Sequence, residues 1–488
     1  MMFGKILVSK GLATEAQIDQ VIELQKSKPG RLGDLLVGTG IITPEQLKAV
    51  LNEPPTVSGK IEEIGLDRNF LTQHIAKGMY LDAHALISQI IESSKLPSNM
   101  VNTLVLEMVE RKLIHSAGAA GVGGLSDVRY QLTKEGQQFA IEACNQNQYS
   151  GPAPVSLEDF QQRIQRQCIT NEHISKEDIA STFADIIVPD DFIKRLGPGI
   201  NSGQSMLIYG PAGNGKTTVA EKIAEIFKAV VYIPYCIEVG GSIIKIFDPS
   251  VHKMVQAPAE ETAKPTLRRD KSDKRWVSCF RPVLITGGEL TLEMLDLKFN
   301  EIAKFYEAPL HMKALNGTFI IDDFGRQVVS PEELLNRWIV PLNSRVDYLT
   351  LHSGKSFSIP FDELVIFSTN MAPNDLMDPA FLRRIPYKLE TKEPTTEAFH
   401  QIFNAVAAKQ GLELSEAMLE FVIDQLSNTI KKPLACYQPK FIIDQVVSAC
   451  KYEGTQPAFT EEMILDALAN LYVSDTSYVG QVVTGKAE

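Results

Sequence analysis

The stretch Gly210-Pro211-Ala212-Gly213-Asn214-Gly215-Lys216-Thr217-Thr218 decides the fold. It has the pattern G-x-x-x-x-G-K-[ST], and the segments on either side are those the pattern needs. Before it, residues 205–209 (Ser-Met-Leu-Ile-Tyr) form a short apolar strand. After it, Val219, Ile223, Ile226 and Phe227 recur at the three-and-four spacing of a helix with one buried face. The glycines let backbone amides turn inward, and the N-terminus of the following helix adds donors and a favourable dipole. Such a loop cradles phosphate oxygens, so all nine residues, Gly210 to Thr218, are candidate ATP contacts. Lys216 is placed to reach the β- and γ-phosphates, and the Thr217 hydroxyl to help hold Mg2+.

Composition bounds what surrounds this loop. A chain of 488 residues has room for two to four domains, and 22% charged and 44% hydrophobic residues are ordinary for a globular protein. The formal charge of −12 argues against a molecule whose main work is gripping nucleic acid. The six cysteines are scattered, without a C-x-x-C pair or a histidine at ligand spacing, and read as reduced thiols of a cytoplasmic protein. No stretch approaches the roughly 18 apolar residues of a membrane span, so no membrane insertion is expected.

Downstream of the loop, 317–323 (Gly-Thr-Phe-Ile-Ile-Asp-Asp) is an apolar strand ending in two carboxylates. Phosphoryl transfer to water needs a carboxylate near Mg2+ and a group that orients the attacking water. Asp322 suits the first role and Asp323 the second. A further strand, 364–368, ends at Thr369-Asn370, where the amide of Asn370 can help place that water. Asp378-Pro-Ala-Phe-Leu-Arg383-Arg384 follows.

These four elements, in this order, resemble AAA+ ATPases: phosphate loop (Walker A), acidic strand end, sensor 1 and arginine finger. The resemblance spans about 183–452 and implies an ATPase producing ADP and phosphate. It implies catalytic roles for Lys216, Asp323, Asn370, Arg383 and Arg384, and Mg2+ held through Thr217 and Asp322. An arginine finger acts on the neighbouring subunit, so a homo-hexameric ring is implied. Most such ATPases carry Glu where Asp323 stands, which puts the rate of turnover in question. The hairpin expected across 347–361, directly before sensor 1, and the Leu-Gly-Pro-Gly-Ile approach at 196–200 resemble MoxR-like members. Between 236 and 288 lies a long insertion, read as a hairpin (243–247 and 252–255 about the turn Asp248-Pro249-Ser250), a basic stretch 268–275 and a strand 276–285. In rings, insertions here face the pore; a surface elaboration without a ligand is the alternative. Helices at 396–409, 415–430 and 439–452 suit the small helical lid, with Lys440 as the counterpart of the sensor 2 arginine.

The first fifty residues hold a repeat. Gly4, Leu7-Val8, Gly11-Leu12, Ile18, Ile22 and Gln25 align without gaps on Gly33, Leu36-Val37, Gly40-Ile41, Leu47, Leu51 and Pro54, and Thr14 and Thr43 are N-caps of the second helix of each copy. This repeat resembles the N-terminal domain of type II secretion and type IV pilus assembly ATPases, which binds cyclic di-GMP in some members. Arg31 carries the motif's arginine in the second copy, while Met2 replaces it in the first and Pro54 replaces the second glutamine. Dinucleotide binding and a pure docking module both stay open.

The next segment, with a helix at 81–91, a helix at 99–113, a glycine-rich tip at 118–124, a strand at 128–132 and a helix opening at Thr133, looks like a winged helix. The exposed positions of its second helix, Asn99, Asn102, Thr103, Glu107, Glu110, Arg111 and Lys112, are mixed in sign. Contact with protein and contact with DNA are both open, the first favoured.

The expected organisation is a multidomain chain: a helical repeat domain (1–54), a winged helix of α+β class (60–148), a linker with a connecting helix at 161–168 (149–182), an α/β P-loop AAA+ core (183–390), a helical lid (391–475) and a tail (476–488). The function expected is a chaperone-like ring ATPase remodelling a protein client of a pilus or secretion system. The alternative is a DNA-directed loader or transcriptional regulator.

Overall fold

The structure, a computed structural model, describes residues 4, 7–8, 10–27, 32–57, 59–120, 127–255 and 272–472. Met2, Arg31, residues 121–124 of the glycine-rich tip, residues 268–271 of the basic stretch and the tail at 476–488 lie outside these residues. The chain divides into two compact units. One comprises Met1–His173, Phe227–Phe319 and Glu332–Val365; the other comprises Ile174–Ile226, Ile320–Pro331 and the chain from Ile366 onward.

In the first unit, the repeat forms helices Glu15–Ser27, Leu32–Gly38 and Pro44–Leu51 around Leu7, Ile18, Val21, Leu36, Ile42 and Val50. Both expected caps form, each as a reciprocal pair. Thr14 accepts from the Gln17 amide at 3.3 Å while Gln17 Oε1 accepts from the Thr14 amide at 2.8 Å. Thr43 and Gln46 repeat the arrangement at 3.2 and 2.8 Å.

The helix expected at 81–91 is instead two helices, Arg68–Leu81 and Ile87–Ser94. Asp67 caps the first, and Ala83, at φ 55°, interrupts helical backbone between them. Likewise Ser98–Glu110 ends before 113, because Lys112 turns to φ 58°, and Ile114–Ala120 becomes a strand paired antiparallel with Asp127–Leu132. Leu86 bridges Arg129 of that hairpin. Met100, Val101, Leu104, Val105 and Met108 are buried, but Val109, expected on the same face, is exposed.

Residues 227–319 and 332–365 are part of this unit. Five short strands run in the order Lys298–Phe299, Tyr306–Glu307, Ser242–Lys245, Cys236–Val239, Val155–Ser156. The hairpin expected to turn at Asp248 turns instead at Gly240-Gly241, pairing Cys236 with Lys245. Both glycines hold positive φ, 58° and 84°, which a tight two-residue turn requires and Asp-Pro-Ser does not supply. The strand expected at 276–285 is two, Trp276–Phe280 and Val283–Thr286, broken at Arg281-Pro282, where proline offers no ladder donor. The segment expected to connect domains is helix Leu157–Arg166, whose Phe160 and Ile164 lie in the core with Val231, Ile237, Ile244 and Leu349. The hairpin before sensor 1 forms as expected, Val346–Thr350 against Ser356–Pro360.

The second unit carries parallel strands, two of them wholly and two from residues 320 and 366 onward. Met206–Tyr209 (β1) lies between Leu364–Thr369 (β3) and Tyr387–Glu390 (β4), parallel to both, and Thr318–Ile321 (β2) follows β3 in the sheet. Met206, Leu207 and Ile208 are fully buried, as are Phe319, Ile320, Ile321, Ile366 and Phe367. Strands covered on both faces read as unbroken apolar runs, which is why the sequence shows them plainly. The phosphate loop leaves the C-terminal end of β1 and leads into helix Lys216–Glu225 (α1). After β3 comes the short helix Pro379–Leu382 (α2). Beyond β4, helices Thr396–Lys409 (α3), Glu416–Asp424 (α4), Tyr437–Glu453 (α5) and Glu461–Leu471 (α6) close on Phe399, Phe403, Leu419, Val422, Ile443, Val446, Ile464 and Leu468. The helix expected at 415–430 passes into a π turn over Gln425–Thr429, and α6 stands beyond the expected three.

Candidate nucleotide site

The loop's shape follows from its glycines. Gly210, Gly213 and Gly215 have φ of 141°, 78° and 75°, which side-chain-bearing residues rarely adopt. A Cβ on Gly210 would also collide with the Thr391 carbonyl. α1 begins at Lys216 with Gly215 as its cap residue, and no side chain caps its first amides. Those amides are therefore donors without an intrahelical partner, at the positive end of the helix dipole, beside the loop. Pro211, Ala212 and Thr218 are exposed, whereas Asn214 and Lys216 are buried at 6%.

Lys216 Nζ donates to the carbonyls of Gly210 and Pro211 at 3.0 and 2.8 Å. Burial pulls its ammonium below the usual lysine range, and the carboxylates of Asp322 and Asp323 act in the opposite sense. Thr217 Oγ1 donates to Asp322 Oδ2 at 2.7 Å. The hydroxyl and carboxylate assigned to Mg2+ thus meet, an oxygen pair of the kind this hard cation takes. Asn370 Nδ2 donates to Asp323 Oδ1 at 3.0 Å, bringing the two water-orienting candidates together.

The loop after β2 is tied to the end of β3. The Phe324 amide donates to the Ser368 carbonyl at 2.7 Å, and Thr369 Oγ1 donates to the Phe324 carbonyl at 2.7 Å. Asp323 itself is exposed and sits in left-handed backbone, φ 48°. Gln327 holds that turn: its Oε1 accepts from the Gly325 amide at 2.8 Å, and its Nε2 donates to the carbonyls of Asp322 and Asp323 at 3.0 and 3.3 Å. Sequence reasoning passed over Gln327. Its only signal was a polar side chain four residues after the acidic pair, in a loop containing glycine.

Arg383 is exposed and makes no ion pair among the described residues. Arg384 is half-buried; its Nη1 donates to the Ala380 carbonyl at 3.0 Å and its guanidinium lies 5.6 Å from the Phe381 ring centre. Lys440 does not meet the loop: its ammonium pairs with Asp444 at 2.6 Å on the exposed face of α5. The residues of the C-terminal helices that do touch the loop are Cys436 and Tyr437, which no motif marked. Of the basic stretch, Arg275 is 3% exposed, paired with Asp273 and donating to the Pro154 carbonyl at 2.8 Å, so this arginine is part of the core.

Together β1 to β4, the loop and the acidic turn define a P-loop α/β architecture. Residues 395–470 match a family described as a domain of unknown function (DUF8689). A search of curated protein sequences found no match. Among solved structures, the chain is similar to the Holliday junction branch migration motor RuvB of Thermotoga maritima, at 16% identity, covering 59% of this chain and 71% of that one with a TM-score of 0.32. It is also similar to domain III of the Thermotoga maritima replication initiation protein DnaA, at 13% identity, 60% and 98% coverage and a TM-score of 0.34. NtrX of Brucella abortus gives 11% identity, 62% and 60% coverage and a TM-score of 0.37. TM-scores of this size do not define a shared fold; the reading of the site rests on its own geometry. Among the described residues, no helix is long and apolar enough to cross a membrane, and no group of three or more His, Cys, Asp or Glu is placed to hold a metal.

Proposed function

We propose that the chain is a Mg2+-dependent AAA+ ATPase of MoxR-like character, acting as a hexameric ring that remodels a protein assembly. One observation carries the reading: the Thr217–Asp322 and Asp323–Asn370 pairs stand at the phosphate loop within a single compact unit. Bound Mg2+ supplies charge neutralisation at the phosphate oxygens. Thr217 and Asp322 hold it; the loop amides and Lys216 bind the β- and γ-phosphates; Asp323 and Asn370 orient water for attack on the γ-phosphate. Arg383, exposed and without an ion-pair partner among the described residues, suits action on a neighbouring subunit's nucleotide.

The client side of the reading rests on the N-terminal segments. The paired capping boxes and shared core support a folded repeat domain. The resemblance of that repeat to the N-terminal domain of secretion and pilus ATPases is the ground for proposing a client in such machinery and cyclic di-GMP as a ligand. The helix–hairpin arrangement of 68–132 supports a winged helix, here used for protein contact. On its helix Ser98–Glu110 the outward positions include Leu106 and Val109, Glu107 is paired with Arg68, and Arg111 stacks on Phe139. Such a face offers little free positive charge to a phosphate backbone, which disfavours the DNA-directed alternative.

The test compares steady-state ATPase rates of the wild type and Lys216→Ala. The variant is expected to fall to the protein-free background. Equal rates would remove the loop from catalysis and end this reading.

A further inference from the structure

The phosphate loop is also held by residues 436 and 437. The Cys436 amide donates to Asn214 Oδ1 at 3.2 Å, and the Tyr437 amide donates to the Gly213 carbonyl at 3.0 Å. The Tyr437 ring covers Gly213 so closely that any Cβ there would collide with it. Gly213 thus answers two demands, a positive φ and an aromatic ring against its Cα.

The same turn is held at its other end. Tyr437 Oη lies 3.3 Å from Tyr472 Oη, at the close of α6, and Gln438 Nε2 donates to Tyr472 Oη at 2.7 Å. Gln438 is fully buried; its Oε1 accepts from the Ala435 amide at 2.8 Å, and its Nε2 also donates to the Pro433 carbonyl at 3.0 Å. Residues 433–438 are consequently a braced piece with the phosphate loop on one side and Tyr472 on the other.

We propose that Tyr437 is a positioning residue for the phosphate loop, presetting the Gly213-Asn214 backbone for phosphate and tying that conformation to the end of α6 through Tyr472. This rests on the ATPase reading above. A loop restrained before binding loses less freedom when phosphate arrives, so the restraint is expressed in nucleotide affinity. The chemistry of hydrolysis, on the Asp323 side, is left nearly untouched. Phenylalanine keeps the ring over Gly213 and the main-chain bond, whereas alanine removes the cover.

The experiment measures equilibrium binding of a fluorescent ATP analogue and steady-state kinetics on the full chain, comparing wild type, Lys216→Ala, Tyr437→Ala, Tyr437→Phe and Tyr472→Phe. Tyr437→Ala should weaken binding and raise KM about tenfold with kcat within about threefold. Tyr437→Phe should bind like the wild type to within about twofold, and Tyr472→Phe should lie between the two. Wild-type affinity in Tyr437→Ala, or a fall in kcat at unchanged KM, would overturn the proposal. Failure of the ATPase reading looks different: Lys216→Ala would then bind and turn over like the wild type, whatever residue 437 is.

Discussion

Arg275 and Arg383 each follow an aspartate by a few residues, yet the two segments put that aspartate to opposite uses. Asp273 gives both carboxylate oxygens to Arg275, and the pair is almost wholly buried. Asp378 instead caps α2, accepting from the amides of Ala380 and Phe381 at 2.7 and 2.9 Å. With its nearest acidic neighbour engaged by backbone, Arg383 keeps its charge available at the surface. A guanidinium already saturated inside the fold is part of the scaffold; one left without a partner is free to meet a ligand.

The contrast breaks most sharply at Arg383. Arg383→Ala should lower kcat by about 10^3-fold or more, the usual contribution of an arginine finger, while the thermal midpoint stays put. A variant with wild-type turnover would return Arg383 to the ordinary solvated surface. Next comes Arg275→Ala, which strands Asp273 as a buried unpaired charge and should cost about 3–5 kcal/mol in urea unfolding. A loss under about 1 kcal/mol would mean that water reaches Asp273 and that the pair is not a scaffold element. Arg384 sharpens the comparison because it lies between the extremes, half-engaged by the Ala380 carbonyl and the Phe381 ring. Arg384→Ala should cost no more than about 1 kcal/mol and leave kcat within a few-fold. A collapse of turnover equal to that of Arg383→Ala would make the two arginines one functional unit.

What could be read from the sequence follows the same division. The phosphate loop, β1, β3 and α3 were plain because local chemistry dictates them: positive-φ glycines, buried parallel strands, and a threonine cap before a regular apolar stripe. The meeting of Thr217 with Asp322 and of Asn370 with Asp323 was legible because Asp322, Asp323 and Asn370 follow the ends of such strands and Thr217 opens the helix after the phosphate loop. Arg275 was not, since nothing local distinguishes a saturated arginine from a solvated one. The hairpin at Gly240-Gly241 was misplaced to Asp248 because turn-forming residues stood at both sites and only strand pairing chose between them. Lys440 matched a pattern, but α5 turns it toward Asp444 and presents Tyr437 to the loop instead. Contacts made across long sequence separations, such as those of Cys436 and Tyr437, leave no periodic trace.

Asp323 stands where most proteins of the class it resembles carry glutamate, and its backbone offers a reason. At φ 48° the residue occupies a conformation in which aspartate and asparagine are enriched several-fold over other side chains, their short polar groups bonding locally. Glutamate would gain reach toward a water molecule but would sit less comfortably in this turn. The shorter carboxylate and the left-handed backbone therefore belong to one choice: Gln327 fixes the turn, the turn selects the residue, and the residue sets how far the acid extends. Seen this way, side-chain length at Asp323 is inherited from a dihedral angle, and changing the carboxylate alone, without releasing the turn, exchanges one misfit for another.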